Sequence, residues 1–137
     1  MAPSKLLNLM AKKEKVTHGK NAARLRQVAD SKAAAEELDT KLTEILETCS
    51  TAMPEQVNVS QLKASHWLAG QVSQQLEVNR GRNEQLDADM KEAQTALSHS
   101  DHRQQLYQER ARAAAVHEAE ERAEKQHQSA PTLRKSR

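Results

Sequence analysis

A chain of 137 residues that contains no phenylalanine, one tyrosine and one tryptophan has few large side chains with which to fill a globular core. Hydrophobic residues make up 36% of it and charged residues 29%, a balance typical of long helices, coiled coils or disordered chains. The formal net charge of +2 is close to balance and excludes a protein dedicated to nucleic-acid binding through a concentrated basic face.

The positions of the prolines predict where the helices begin and end. Prolines occur only at positions 3, 54 and 131, and a proline in a helix interior costs roughly 3 kcal/mol. The intervening sequence is rich in strong helix formers, so we predict helix 1 over about 4–52, a connection at 53–59 and helix 2 over about 60–128. Residues 129–137 are expected to form a disordered basic tail.

Helix 1 has a seven-residue apolar repeat in its second half. The repeat comprises Val28, Ala35, Leu42 and Cys49, and we expect Leu38 and Ile45 to be interleaved with them in the same seam. Before Val28 the pattern loosens, and the segment 5–26 is basic, with Glu14 as its one acidic residue.

Helix 2 carries a longer repeat, and Ser60 is predicted as its N-cap. The first position of a heptad seam recurs from Leu62 to Ala111, and the fourth position recurs from Ser65 to Ala114. The seam contains four polar residues that can set register or partner number: Asn79, Asn83, Ser100 and Gln104.

The short connection makes the two helices antiparallel neighbours. The predicted fold is therefore all-α, with two long helices forming an antiparallel coiled-coil hairpin over residues 1–128. Folding the chain near residue 56 places Leu25 beside Asp87. In this register we expect acidic side chains of helix 2 to neutralise the basic segment 5–26: Asp87, Asp89, Glu92, Asp101 and Glu109.

No arrangement of side chains in the sequence points to catalysis. A two-helix rod offers no concave pocket in which a nucleophile, a base and an acid would meet, so we expect a non-enzyme. His117 and Glu121 have the i, i+4 spacing of helical metal ligands, but their stretch is polar and has no second cluster. We therefore expect solvated surface there, with no metal and no cofactor.

Trp67 is the most informative single residue for function. Its position in helix 2 is the one farthest from the seam, and Gln71, Gln74 and Val78 continue an outward stripe at helical spacing. Tryptophan is enriched among interaction hot spots, so this stripe is a candidate partner-binding surface. The alternative is that Trp67 packs onto the loop formed by residues 53–59.

Several stretches of the chain together resemble the FliJ family, the stalk components of the flagellar type III export ATPase, whose relatives are the YscO-type proteins of virulence secretion. The opening SKLLNLMAKKE is similar to the family's leucine-spaced, lysine-bearing start. AAAEELDTKL resembles the late part of its first helix, and HWLAGQVSQQL resembles the aromatic-bearing, Gln-rich start of its second.

The resemblance implies a non-enzymatic stalk, similar to the gamma stalk of rotary ATPases. It implies binding and stimulation of a hexameric export ATPase, a link to the membrane export gate and assistance to export chaperones, in flagellum biogenesis, type III secretion, motility and chemotaxis. The family's gate-binding surface corresponds here to Trp67, Gln71 and Gln74, and to Leu38 and Leu42 on helix 1.

With Cys49 as the single cysteine and no signal-peptide pattern, we expect a cytoplasmic protein that reaches the inner membrane through its partners. The stalk interpretation predicts a monomeric hairpin that does not bind nucleic acid. Two alternatives stay open. One is a structural coiled coil that oligomerises through its polar seam, and the other is a nucleic-acid-associated protein that uses the basic segment and tail.

Overall fold

The computed structural model describes residues 2–51 and 58–135, with side chains at 2–50 and 58–129. Two helices account for nearly all of them: α1 spans Pro3–Thr51 and α2 spans Val59–Lys135. The helices pack against each other in antiparallel orientation, and no strand occurs in the described ranges. The predicted all-α helical hairpin is confirmed.

α2 begins within one residue of the predicted start, but its N-cap is Asn58 and not Ser60. Asn58 Oδ1 accepts a hydrogen bond from the backbone N–H of Gln61 at 2.8 Å, and Gln61 Oε1 accepts one from the Asn58 N–H at 3.4 Å. This reciprocal pair is a capping box. Asparagine is as strong an N-cap as serine, so both residues satisfied the sequence rule and the Gln61 partner favours Asn58.

The end of α2 also differs from the prediction. The helix runs through Pro131 to Lys135, whereas a disordered tail was expected from residue 129. The φ angle of proline is helical, and its missing N–H removes one hydrogen bond from the helix while the neighbouring bonds can persist. Pro54 and the predicted connection up to residue 57 lie outside the described residues.

The helical pair divides into two compact units, and each contains a part of both helices. Residues 1–22 and 95–137 form one, named here the terminal unit, and residues 23–94 form the other, the central unit. Every predicted seam position of α2 from Ser65 to Ala114 is buried or half-buried. Leu62, at the start of the repeat, is 48% exposed.

The seam of α1 is only partly the predicted one. The seven-residue repeat is buried or half-buried, as expected: Val28, Ala35, Leu42 and Cys49. The prediction that Leu38 and Ile45 are interleaved in the seam was wrong, because each is 43% exposed. The seam contains Lys32, Asp39 and Leu46 instead. A search for apolar residues passes over Lys32 and Asp39 and selects the neighbouring phase of the helix.

The seam of α1 also continues through the basic segment, where the sequence pattern loosens. Seven residues at heptad spacing are buried or half-buried there although four of them are polar: Ser4, Leu7, Ala11, Glu14, His18, Asn21 and Leu25. A heptad repeat of polar and small side chains gives no apolar periodicity, so the sequence pattern did not predict this part of the seam.

The register differs from the predicted one. Lys32 Nζ lies 2.8 Å from Asp87 Oδ1, whereas folding at residue 56 placed Leu25 beside Asp87. A seven-residue repeat recurs along both helices, so the apolar pattern alone does not set the offset between them. The hydrogen bond and the charge of Asp87 raise the pKa of the Lys32 ammonium.

Polar seam residues bond across the helix pair in both units. In the central unit, Asn79 is 4% exposed and its Nδ2 donates to the Ala35 carbonyl at 3.0 Å. In the terminal unit, Asn21 Nδ2 lies 3.2 Å from both the Ala96 carbonyl and the Ser100 hydroxyl, which itself donates to the Leu97 carbonyl. Each of these bonds satisfies an amide donor that the helix pairing covers and that would be costly to bury without a partner.

The first turn of α1 contains no acidic residue of its own, and Glu118 of α2 supplies the missing anion. The Ser4 N–H donates to Glu118 Oε1 at 3.0 Å, and the Ser4 hydroxyl donates to Oε2 at 2.7 Å. A carboxylate is favoured at a helix N-terminus by the free N–H groups and the dipole. The Ser4 hydroxyl and backbone bonds hold the pKa of Glu118 below its ordinary value.

Ala93 is fully buried at a seam position of α2, so a larger side chain there tests how closely the helices approach. We expect Ala93→Leu to destabilise the hairpin by about 1–3 kcal/mol, since added methylenes in a packed seam force strain. Chemical denaturation followed by circular dichroism measures the change. Ala88→Leu, at an exposed position of the same helix, is the control, and equal stability of both variants would contradict close packing at Ala93.

The Glu118 contact predicts a pH-dependent stability. Its folded-state pKa is depressed, so the contact contributes above the ordinary value of 4.5 and its contribution is lost as the pH falls through the folded pKa. We expect Glu118→Gln to lower the melting temperature at neutral pH and the deficit to shrink on acidification. Glu124→Gln, at an exposed position, is the control. A deficit that is constant with pH would show that Glu118 is not the titrating group.

Candidate protein-interaction surface

Exposed large apolar side chains are concentrated in the central unit. Seven of them lie there: Leu38, Ile45, Val59, Leu62, Trp67, Leu68 and Val78. The described side chains of the terminal unit include four with comparable exposure: Leu6, Leu9, Val16 and Val116. Contiguous apolar surface on a small protein marks interaction sites, so the central unit is the first candidate for a binding surface.

The outward stripe predicted on α2 is exposed along its whole length. Trp67 is 66% exposed and Val78 is 68% exposed, with Gln71 and Gln74 exposed between them. Helical spacing places these four side chains on one side, while the seam residues Val72 and Leu76 turn the opposite side toward α1. The stripe thus offers two apolar ends separated by two amides that can donate and accept hydrogen bonds.

A cleft of about 600 Å³ lies between the end of α1 and the start of α2, within the central unit, although a two-helix rod was expected to offer no concave pocket. Its lining is mainly apolar and comes from both helices: Leu46, Cys49, Ser50, Leu62, Lys63, Ser65, His66, Trp67 and Ala69. Trp67 belongs both to this lining and to the outward stripe. A partner that filled the cleft would therefore also contact the tryptophan ring.

The alternative of Trp67 packing on the connection concerns residues 53–57, which lie outside the described residues. Val59, the last residue of the predicted connection, is 69% exposed. Sequence reasoning did not identify Leu62 and Leu68 as surface residues, because it counted Leu62 in the seam and assigned no role to Leu68. The exposure of Leu62 could be anticipated only by knowing where along α2 the contact with α1 ends.

The two residues of α1 that were candidates for partner binding differ in exposure. Leu38 is 43% exposed beside the seam, and Ile45, seven residues on, has the same position and exposure. Leu42 is half-buried in the seam and belongs to the helix pairing. Ile45 is thus the residue of α1 that shares the face of Leu38, and it was missed because the predicted phase buried both.

The basic segment is neutralised in the predicted way only in part. Of the five acidic residues expected beside it, Glu92 lies 3.7 Å from Arg24 and Asp101 lies 3.8 Å from His18. Glu14, the acidic residue of the segment, is bound by Arg103 at 3.0 Å. The remaining basic side chains are exposed and form no ion pair with any described residue: Lys5, Lys12, Lys13, Lys15, Lys20 and Arg26.

The pair considered as metal ligands, His117 and Glu121, forms an ordinary exposed contact, with His117 Nε2 3.1 Å from Glu121 Oε1. Across the described ranges, no group of three or more His, Cys, Asp or Glu residues is placed to hold a metal ion. Cys49 is free and half-buried in the cleft lining. Neither described helix has an apolar stretch long enough to cross a membrane.

No protein-family model matches this chain, and no curated protein and no solved structure matches it either. The candidate surface is defined by its own residues, namely the stripe from Trp67 to Val78, the adjoining cleft, and the ridge of Leu38 and Ile45.

Trp67 is the one tryptophan of the chain, so its fluorescence reports on this surface alone. At 66% exposure we expect emission close to that of hydrated tryptophan and efficient quenching by acrylamide. Emission should stay unchanged when the protein is concentrated if the hairpin is a monomer. Blue-shifted, quencher-resistant emission at all concentrations would contradict an exposed Trp67, and a blue shift that grows with concentration would indicate self-association through it.

Proposed function

We propose that this chain is a non-enzymatic component of the flagellar or type III protein export apparatus. It acts as a coiled-coil stalk that binds and stimulates a hexameric export ATPase, links it to the membrane export gate and assists export chaperones. The observation that carries the proposal is an antiparallel helical pair whose central unit exposes Trp67 beside an apolar cleft. The three stretches that resemble the FliJ family supply the identity of the apparatus.

The physical requirements of a stalk fit a two-helix hairpin. A stalk has to stay folded without a globular core and has to present different surfaces to different partners. Here the seam holds the helices together, and the exposed side chains are left for partners. In the proposal the terminal unit binds the ATPase, the Trp67 surface binds the gate, and the chain is cytoplasmic and reaches the inner membrane through these partners.

The first test is an ATPase assay with the export ATPase of the same organism. We expect this chain to stimulate hydrolysis at about one chain per hexamer, because a central stalk has one site in a six-membered ring. Sedimentation in the same buffer should show a monomer. Absence of binding and stimulation, together with a stable oligomer in solution, would leave a structural coiled coil.

The second test separates the two ends. We expect Trp67→Ala to weaken binding to the cytoplasmic part of the gate protein by at least about thirtyfold, since truncation of a hot-spot tryptophan typically costs about 2 kcal/mol or more. Stimulation of the ATPase should be unaffected. Val116→Ala, an exposed apolar residue of the terminal unit, is the matched control for gate binding. Equal effects of the two variants on the gate would refute a specific role for Trp67.

A second candidate function, a coiled coil that self-associates, is favoured by one observation. Leu38, Ile45 and Leu62 are each more than two-fifths exposed in the central unit, and association of two copies would remove them from water. A concentration-dependent sedimentation coefficient that Leu38→Gln and Ile45→Gln abolish would support it.

A further inference from the structure

Lysines and aliphatic residues share the outward face of α1 in the terminal unit. At about 100° per residue, six residues fall within an arc of about 100° on the side opposite the buried Ser4 and Ala11. We name this the lysine–aliphatic face, and it consists of Lys5, Leu9, Lys12, Lys13, Val16 and Lys20. Leu6 lies at its edge and is 52% exposed.

The arrangement within the face is ordered. Leu9 and Val16 are seven residues apart, so they lie one above the other and form a ridge, and they are 51% and 59% exposed. Lys5 and Lys12 lie on one side of the ridge, and Lys13 and Lys20 lie on the other. Each lysine has a long apolar stem that can lie against the ridge while its ammonium group points outward.

The positive charge of this face is uncompensated. None of its four lysines forms an ion pair with a described residue, and the one acidic residue of α1 in this unit, Glu14, is bound by Arg103. Residues 95–129 of α2 carry acidic and basic side chains in nearly equal numbers. Among the described side chains of the terminal unit, the excess positive charge therefore lies on α1, in the lysine–aliphatic face and at Lys15.

We propose that the lysine–aliphatic face binds the surface of an anionic lipid bilayer, with Leu9 and Val16 inserted at the headgroup boundary and the four lysines against lipid phosphates. A surface that is both anionic and apolar just beneath its charges complements this pattern. The proposal does not depend on the function proposed above, because it concerns the chain and a bilayer alone.

A nucleic acid fits the face less well. Its phosphates would attract the lysines, but the exposed Leu9 and Val16 gain nothing from a phosphate backbone. The face has no aromatic or arginine side chain on which bases stack. The aliphatic ridge between the lysines is the feature that favours a bilayer, and it is also the feature that a test can remove.

The test is flotation of the full chain with vesicles of phosphatidylglycerol and phosphatidylcholine, compared with vesicles of phosphatidylcholine alone. We expect binding to the mixed vesicles only. The variant K12Q/K13Q/K20Q should lose on the order of a hundredfold in affinity, since each lysine near an anionic surface contributes about fivefold. The variant K63Q/R80Q/R82Q removes three exposed positive charges from the central unit and should bind as the wild type does.

The aliphatic ridge has its own pair of variants. L9Q/V16Q should weaken vesicle binding and leave binding to a DNA duplex unchanged, whereas V116Q, at the exposed valine of α2, should leave both unchanged. Glutamine is a good helix former, so all variants should retain the helical circular dichroism of the wild type.

Three results would overturn the proposal. The first is absence of flotation with anionic vesicles, and the second is an equal loss of affinity in K12Q/K13Q/K20Q and K63Q/R80Q/R82Q. The third is binding to vesicles and DNA alike that L9Q/V16Q does not change, which would make the face a general polyanion site. A failure of any of these tests is independent of the ATPase assay, so the two proposals can fail separately.

Discussion

Mutual covering of two heptad seams is the constraint on which the rest of this structure depends. The chain has too few large apolar residues for a globular core, so each helix removes a narrow stripe from water only by lying along the other. The seam combines leucine and valine with many small or polar residues, chiefly alanine, serine and asparagine. Small side chains allow close approach, and cross-helix hydrogen bonds satisfy the polar groups that this approach buries.

The same constraint explains which surfaces of the hairpin are left for binding. The seam occupies one side of each helix, so the side chains on the opposite sides are available for contact with partners. In the central unit the free sides carry apolar groups, with Trp67 at the edge of a cleft. In the terminal unit they carry lysines around Leu9 and Val16. The two surfaces differ in chemistry, so they suit different partners.

The polar contacts of the hairpin give it specificity at a cost in stability. Two buried oxygens, Glu14 Oε2 and Asn83 Oδ1, have no hydrogen-bond partner among the described residues. Buried polar atoms without partners are destabilising, and seam asparagines are weaker than aliphatic residues. Contacts between side chains, such as Ser4 with Glu118 and Lys32 with Asp87, occur at single places and so distinguish one register from its neighbours.

The sequence by itself determined the all-α hairpin, the seam of α2 and the outward position of Trp67, because helix propensity and a seven-residue period are local properties of the chain. It did not determine the register or the phase of the α1 seam. The apolar repeat recurs every seven residues and does not set the offset between the helices. Lys32 and Asp39 are polar, so the apolar pattern of α1 pointed to Leu38 and Ile45 as seam residues. Only the tertiary structure decided these points, since the pairing of Lys32 with Asp87 and the exposure of Leu9, Leu38 and Ile45 depend on contacts between residues far apart in the chain.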